Sequence, residues 1–155
     1  MTNNNFLLFL LLSLLALSSC DNELNLVEPG EDIPVVYALL SATADEQFVR
    51  LERGFVDETT PAKELAQNPD EIYYDNAQVM LTNLRSNASF NLNKRNAEEL
   101  GFERDTGFFP TDPNFIYHYS GNEDDFLPGD DVRLTINRGD EFEPVFTEIS
   151  LLDSI

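Results

Sequence analysis

One cysteine, one histidine and no tryptophan occur among 155 residues, and nine Lys and Arg stand against 29 Asp and Glu. Each shortage removes a class of chemistry. A lone thiol, Cys20, forms no disulfide within the chain, so packing must hold any fold it makes. A histidine-based metal site or nucleophile triad needs partners, and His118 has no second imidazole or spare thiol to join it. A formal net charge of −20 repels phosphate, which argues against nucleic acid and against anionic lipid headgroups as partners. Gly-rich phosphate loops, paired catalytic carboxylate motifs and basic patches are missing too. The one long hydrophobic run, Phe6 to Leu17, has a single polar interruption at Ser13. It is too short to span a bilayer comfortably, which takes roughly 20 residues, but it suits the apolar core of a secretory signal.

Leu17-Ser18-Ser19-Cys20 follows that run. Small side chains just before a cut suit the narrow pocket of a signal peptidase, and a thiol at the next position is the nucleophile that accepts a diacylglyceryl group. The four residues resemble the bacterial lipobox. Residues 1–5 carry no Lys or Arg, so only the initiator amine supplies positive charge ahead of the run. The resemblance implies a signal peptide over residues 1–19 and lipid attachment at Cys20. Two or more acyl chains anchor stably where one binds only marginally. Every Lys, Arg, Asp and Glu lies after Cys20, so the part beyond it keeps the whole charge of −20. Residues 20–33 then read as the lipidated cysteine and an acidic tether with Pro29-Gly30 in it. Asp21 and Glu23 resemble the acidic export signal of surface lipoproteins in Bacteroidota; a merely solvated linker fits them as well.

From Pro34 onward, ten of the twelve Phe and all five Tyr sit largely among alternating aliphatic positions, as core-forming material does. Val35 to Leu40 is a short apolar run of the kind a buried strand makes. Phe48 to Arg53 alternates, with Val49 and Leu51 on one face and Arg50 and Glu52 on the other. Thr60-Pro61 predicts a helix start, with Thr60 as cap, a helix over 62–67 and a stop at Asn68-Pro69. Strands are expected at 77–83, 89–93 and 115–119, with one helical turn at 96–100. Leu127-Pro128-Gly129-Asp130-Asp131 is a turn in which Pro presets φ and Gly supplies the positive φ. Val132 to Ile136 alternates cleanly, and a last strand is expected within 142–152. About seven short strands with turn signals between them predict an all-β, antiparallel β-sandwich over residues 34–155, immunoglobulin-like or transthyretin-like, with one or two short helices. The apolar stretch from Ile149 to Ile155 has no closing turn, so we expect either a truncated domain or the first of several.

Pro34 to Leu40, Phe48 to Arg53, Gln67 to Ala77 and the Leu-Pro-Gly turn, taken in this order, resemble uncharacterised cell-surface lipoproteins of Bacteroidota. The resemblance implies a lipobox followed by an immunoglobulin-like β-domain in a longer protein. It implies no catalytic residues.

Three local patterns carry chemical suggestions. Asp105-Thr106-Gly107 matches the aspartic-protease triplet but follows Arg104 instead of an apolar strand, so a plain turn is expected. Glu123-Asp124-Asp125, Asp130-Asp131 and Asp140-Glu141 with Glu143 would share a Ca²⁺ only if the turns at Leu127 and Gly139 lie at one end of the sandwich. Asp153-Ser154-Ile155 fits a short O-glycan acceptor pattern. His118 is expected as a half-exposed strand residue. We therefore expect no enzyme, cofactor or metal. The expected protein is lipid-anchored in the outer membrane, with an envelope protein or extracellular ligand as partner. Tyr73, Tyr74, Phe108, Phe109, Tyr117 and Tyr119 are its candidate contacts. The alternative is a structural spacer presenting a further domain.

Overall fold

The computed structural model describes residues 33–54, 60–139 and 141–152. Seven strands form, all paired antiparallel: β1 (Ile33–Leu39), β2 (Glu46–Gly54), β3 (Gln78–Asn83), β4 (Ala88–Asn96), β5 (Phe115–Ser120), β6 (Asp131–Asn137) and β7 (Val145–Ser150). Two short helices, α1 (Ala62–Leu65) and α2 (Pro69–Ile72), lie between β2 and β3, and a 3₁₀ helix, Ala97–Leu100, follows β4. The all-β expectation holds, and every expected strand is present.

Strand order around the curled sheet is β1-β2-β5-β4-β3-β6-β7. Cut at β4, it gives β1-β2-β5-β4 on one side and β3-β6-β7 on the other. That is the strand order of the constant-type immunoglobulin sandwich. β4 joins the two layers. Its first half, Ala88 to Leu92, pairs with β3, and its second half, Asn93 to Asn96, pairs with β5. A strand that switches sheets in this way makes a corner.

Period-two alternation turns one side of each strand inward. β2 contributes Val49 and Leu51, β3 Val79 and Leu81, β4 Leu92, β5 Tyr117, and β6 Val132, Leu134 and Ile136 to one core. Burying each of the larger aliphatic side chains is worth about 1.5–3 kcal/mol. The cores of antibody domains add a disulfide between the second and sixth strands. Here those strands meet the core through Val49 and Leu51 of β2 and Val132, Leu134 and Ile136 of β6, with the buried Gln47 amide beside them.

Antiparallel pairing throughout puts the β2–β3, β4–β5 and β6–β7 connections, which include the two longest, at one end. The β1–β2, β3–β4 and β5–β6 connections lie at the other. At this second end the Leu127-Pro128-Gly129-Asp130 turn forms as expected: Asp130 N–H donates to the Leu127 carbonyl at 3.0 Å and Gly129 has φ +82°.

Local corrections fall where one signal had two readings. Pro61, not Thr60, is the N-cap of α1, and no side chain caps it. Asn68-Pro69 stops α1 and also starts α2, with the Asn68 side chain accepting from Asp70 N–H and Pro69 in the first turn. β4 runs on to Asn96 through Asn93-Lys94-Arg95, which has no apolar alternation to betray it. The apolar run at β1 is not a buried strand. It is a sheet edge, paired only with β2 among the described residues.

Candidate functional site

The outer face of β1-β2-β5 is covered in part by the β4–β5 connection, residues 97–114. Phe48 of β2 stacks on His118 of β5 at 4.9 Å and 15°, while Phe102 from the connection meets Phe48 edge-on at 5.1 Å. Charged groups fasten the connection down. Arg104 Nη2 lies 2.6 Å from Glu52 Oε1, and Arg50 Nη1 donates to Asn114 Oδ1 at 2.6 Å. Arg104 also lies over the Phe109 ring, 5.4 Å from its centroid. The nearby Tyr73 phenol is pushed up by burial, and the Arg104 charge opposes that shift. Glu52, at an outward-facing strand position, is thus 9% exposed.

Phe102, held there, walls a groove of about 350 Å³ whose other sides are Tyr37, Leu39, Phe48, Arg50 and Ile116. A second cleft, of about 400 Å³, opens on the inner side of the same edge, where the end of β1 faces the end of β7. Ala38, Leu40, Ile149 and Leu151 line it together with the polar Ser41, Thr43 and Ser150. Ala38 belongs to both. Between the two hollows runs β1 itself, Ile-Pro-Val-Val-Tyr-Ala-Leu, without one charged side chain. Tyr37 is 64% exposed and Leu39 69%. Large apolar side chains on an uncharged edge strand are what soluble proteins avoid unless something covers them.

The residues singled out from the sequence fare differently. Cys20, the lipid-attachment residue, lies outside the described residues, as does Asp153-Ser154-Ile155. Tyr73, Tyr74 and Tyr117 are core residues, at most 4% exposed. Tyr119 is half-buried and donates to Asp125 Oδ2 at 2.7 Å. Of the six expected contact aromatics only Phe108 and Phe109 are exposed. They sit on the long-connection end, and Phe109 backs the Arg104 anchor. His118 is buried, not half-exposed, because the Phe48 ring stacks on its face. Its Nε2 is 3.3 Å from Glu46 Oε1, close enough for an ion pair when protonated but out of line for a hydrogen bond.

Asp105-Thr106-Gly107 is an exposed bend. The turns at Leu127 and Gly139 lie at opposite ends of β6, roughly 20 Å apart at the rise of an extended strand. Asp140 lies outside the described residues, and the Glu141 and Glu143 that follow it are at the opposite end of β6 from Asp125 and Asp130, too far to share a cation with them. Among the described residues no three His, Cys, Asp or Glu side chains gather as a ligand set. Asp125 and Asp130 are spent on hydrogen bonds within the fold. Asp125 accepts from Asn122 N–H and the Tyr119 hydroxyl, and both hold its carboxyl below the usual range. No described helix is long and apolar enough to cross a membrane.

What gathers at the β1 edge is therefore an uncharged strand with exposed Tyr37 and Leu39 and two hollows of mixed lining, not a set of reactive groups. Sequence reasoning missed this site because a continuous apolar run looks the same at an edge as in a sheet centre. Pro34 was the available signal, since proline is confined to edges and strand starts. Compared with protein-family models, with curated proteins and with solved structures, the chain has no match in any of the three.

Proposed function

We propose that this chain is a lipid-anchored, non-enzymatic binding module of the bacterial cell envelope. Acylated Cys20 holds it to the outer membrane, and its immunoglobulin-like domain engages a partner protein. One observation carries the binding half: an uncharged strand edge, with exposed Tyr37 and Leu39 and a hollow on either side, in a chain of net charge −20. A passive spacer needs no such surface and is better served by a charged edge. The anchoring half is supported by the lipobox-like Leu17-Ser18-Ser19-Cys20 behind an apolar run.

Metabolic labelling with a palmitate analogue tests the anchor. The wild-type chain takes up label and sediments with the envelope, and Cys20→Ala does neither. Label retained in Cys20→Ala removes the anchoring reading.

A further inference from the structure

We propose that the exposed rings of Phe108 and Phe109 dock the domain on the zwitterionic phospholipid surface in which Cys20 is anchored. The inference rests on the anchoring half of the reading above and adds which end of the domain meets the membrane. Phe108 and Phe109 are neighbours in the bend between Arg104 and Pro110 of the β4–β5 connection, and they are 66% and 40% exposed. Each has a cation near it. Lys63 Nζ of α1 lies 5.9 Å from the Phe108 centroid, and the Arg104 guanidinium lies 5.4 Å from that of Phe109. The Arg104–Glu52 contact and the Lys63–Phe108 contact place the bend at the end of the sandwich where β2 finishes. The chain coming from Cys20 enters the fold at that same end, because Ile33, the first residue of β1, pairs with Gly54, the last of β2.

What covers the rings follows from the length of chain between the anchor and the fold. Twelve residues, 21–32, separate Cys20 from Ile33, and they span at most about 40 Å fully extended. The nine residues of β2 put the opposite end of the sandwich roughly 30 Å farther off. An acylated Cys20 therefore holds the Phe108 end near its own membrane, at an effective concentration on the order of millimolar. Two rings that bind lipid only weakly on a free protein then suffice. The composition of the bend suits the lipid boundary: the rings sink below the headgroups while the Lys63 ammonium stays at the level of the phosphates. Charge selects the lipid. The net charge of −20, with Asp105 beside the rings, is repelled by an anionic surface, so the surface is zwitterionic.

The test places the lipidated full chain in phosphatidylcholine nanodiscs that carry a nitroxide-labelled headgroup lipid, and reads the broadening of backbone amide signals. Chain that the cell leaves unacylated is coupled through Cys20, its only thiol, to a maleimide phospholipid in the disc, so docking and the palmitate result fail separately. The amides of Gly107, Phe108 and Phe109 should broaden strongly, and those of Leu127 and Gly129 at the other end should not. Proximity through the tether alone gives a weaker form of the same pattern, and Phe108→Ser separates the two. This variant loses an exposed ring, so its unfolding midpoint should be unchanged while broadening at Gly107 and Phe109 falls at least roughly twofold. Phe108→Leu, still apolar, should keep most of the broadening. Equal broadening at both ends, or broadening indifferent to Phe108→Ser, overturns docking through these rings. Undiminished broadening in phosphatidylglycerol discs overturns the choice of a zwitterionic surface. Self-association in detergent micelles that Phe108→Ser abolishes also overturns the proposal, assigning the rings to a second copy.

Discussion

Arg85 grips Asp130 with two nitrogens: Nε lies 2.5 Å from Oδ1, and Nη2 lies 3.1 Å from Oδ2. The pair ties the end of β3 to the start of β6. Asn83 Nδ2 and Leu127 N–H also donate to Oδ2, at 2.7 and 2.9 Å. Asp130 is 4% exposed, whereas about half of the Arg85 side chain faces solvent. The cation thus reaches in from the surface to a buried anion.

An acid-labile contribution to stability follows. The Arg85 hydrogen bonds, with those from Leu127 N–H and Asn83, hold the Asp130 carboxyl well below the ordinary carboxylate range. A carboxyl depressed in the folded state favours folding fully above its unfolded value, about 3.9, and that benefit fades as pH falls. Asp130→Ala removes charged hydrogen bonds and should cost about 2–4 kcal/mol at pH 7. The difference between wild type and Asp130→Ala, read by urea unfolding, should shrink steadily from pH 5 to pH 2. An unchanged difference would mean that packing, not the carboxylate, holds the corner. Comparison against the variant matters because general repulsion in a chain of charge −20 also changes over this range.

At the same end, Gly121 sits where any Cβ would run into the Tyr119 hydroxyl and the Asp125 carboxylate, which bond to each other at 2.7 Å. Gly129 is different. Its φ of +82° favours glycine, but nothing crowds its Cβ position. Gly121→Ala should break the Tyr119–Asp125 bond and cost about 1–3 kcal/mol, against roughly 1 kcal/mol for the conformational strain of Gly129→Ala. Alkaline titration separates them further. Burial, aided by Asp125, pushes the Tyr119 phenol up to about 12. A phenol raised in the fold stabilises it below its unfolded value near 10, and the benefit is lost as pH rises towards 12. Absorbance at 295 nm should show one phenol ionising earlier in Gly121→Ala, and no such change in Gly129→Ala.

The strands were legible because their chemistry is local. Val132 to Ile136 alternates without a flaw, and Pro128-Gly129 states its own turn, so β6 and its approach were read almost to the residue. The sheet switch in β4 was not legible: Asn93 to Asn96 is polar on both sides, and only the tertiary pairing with β5 makes it a strand. His118 and Glu52 misled for one reason. Each alternates outward, and what covers it, Phe48 for His118 and Arg104 for Glu52, comes from far along the chain. The candidate site was least legible of all. Val35 to Leu40 announces burial by composition, yet exposure is decided by whether a further strand lies beside it. A single strand's residues do not encode that.

The Arg104–Glu52 contact controls the shape of the outer groove, because it anchors the connection that carries Phe102. Glu52→Ala would leave the Arg104 and Arg50 guanidiniums, 17% and 22% exposed, without their carboxylate. Stranding largely buried charges should cost about 2–4 kcal/mol, and Glu52→Gln, which keeps an acceptor, less. The loss should be regional. Amide exchange at residues 102–104 should accelerate in Glu52→Ala, while the amides of β6, at the core, slow or hasten only with global stability. Phe102→Ala supplies the contrast. Its side chain is 42% exposed, so the change should cost under about 1 kcal/mol and leave exchange in β2 and β5 unaltered while widening the groove. If Glu52→Ala instead speeds exchange uniformly, the ion pair supports the whole sandwich and the connection is not an independent wall.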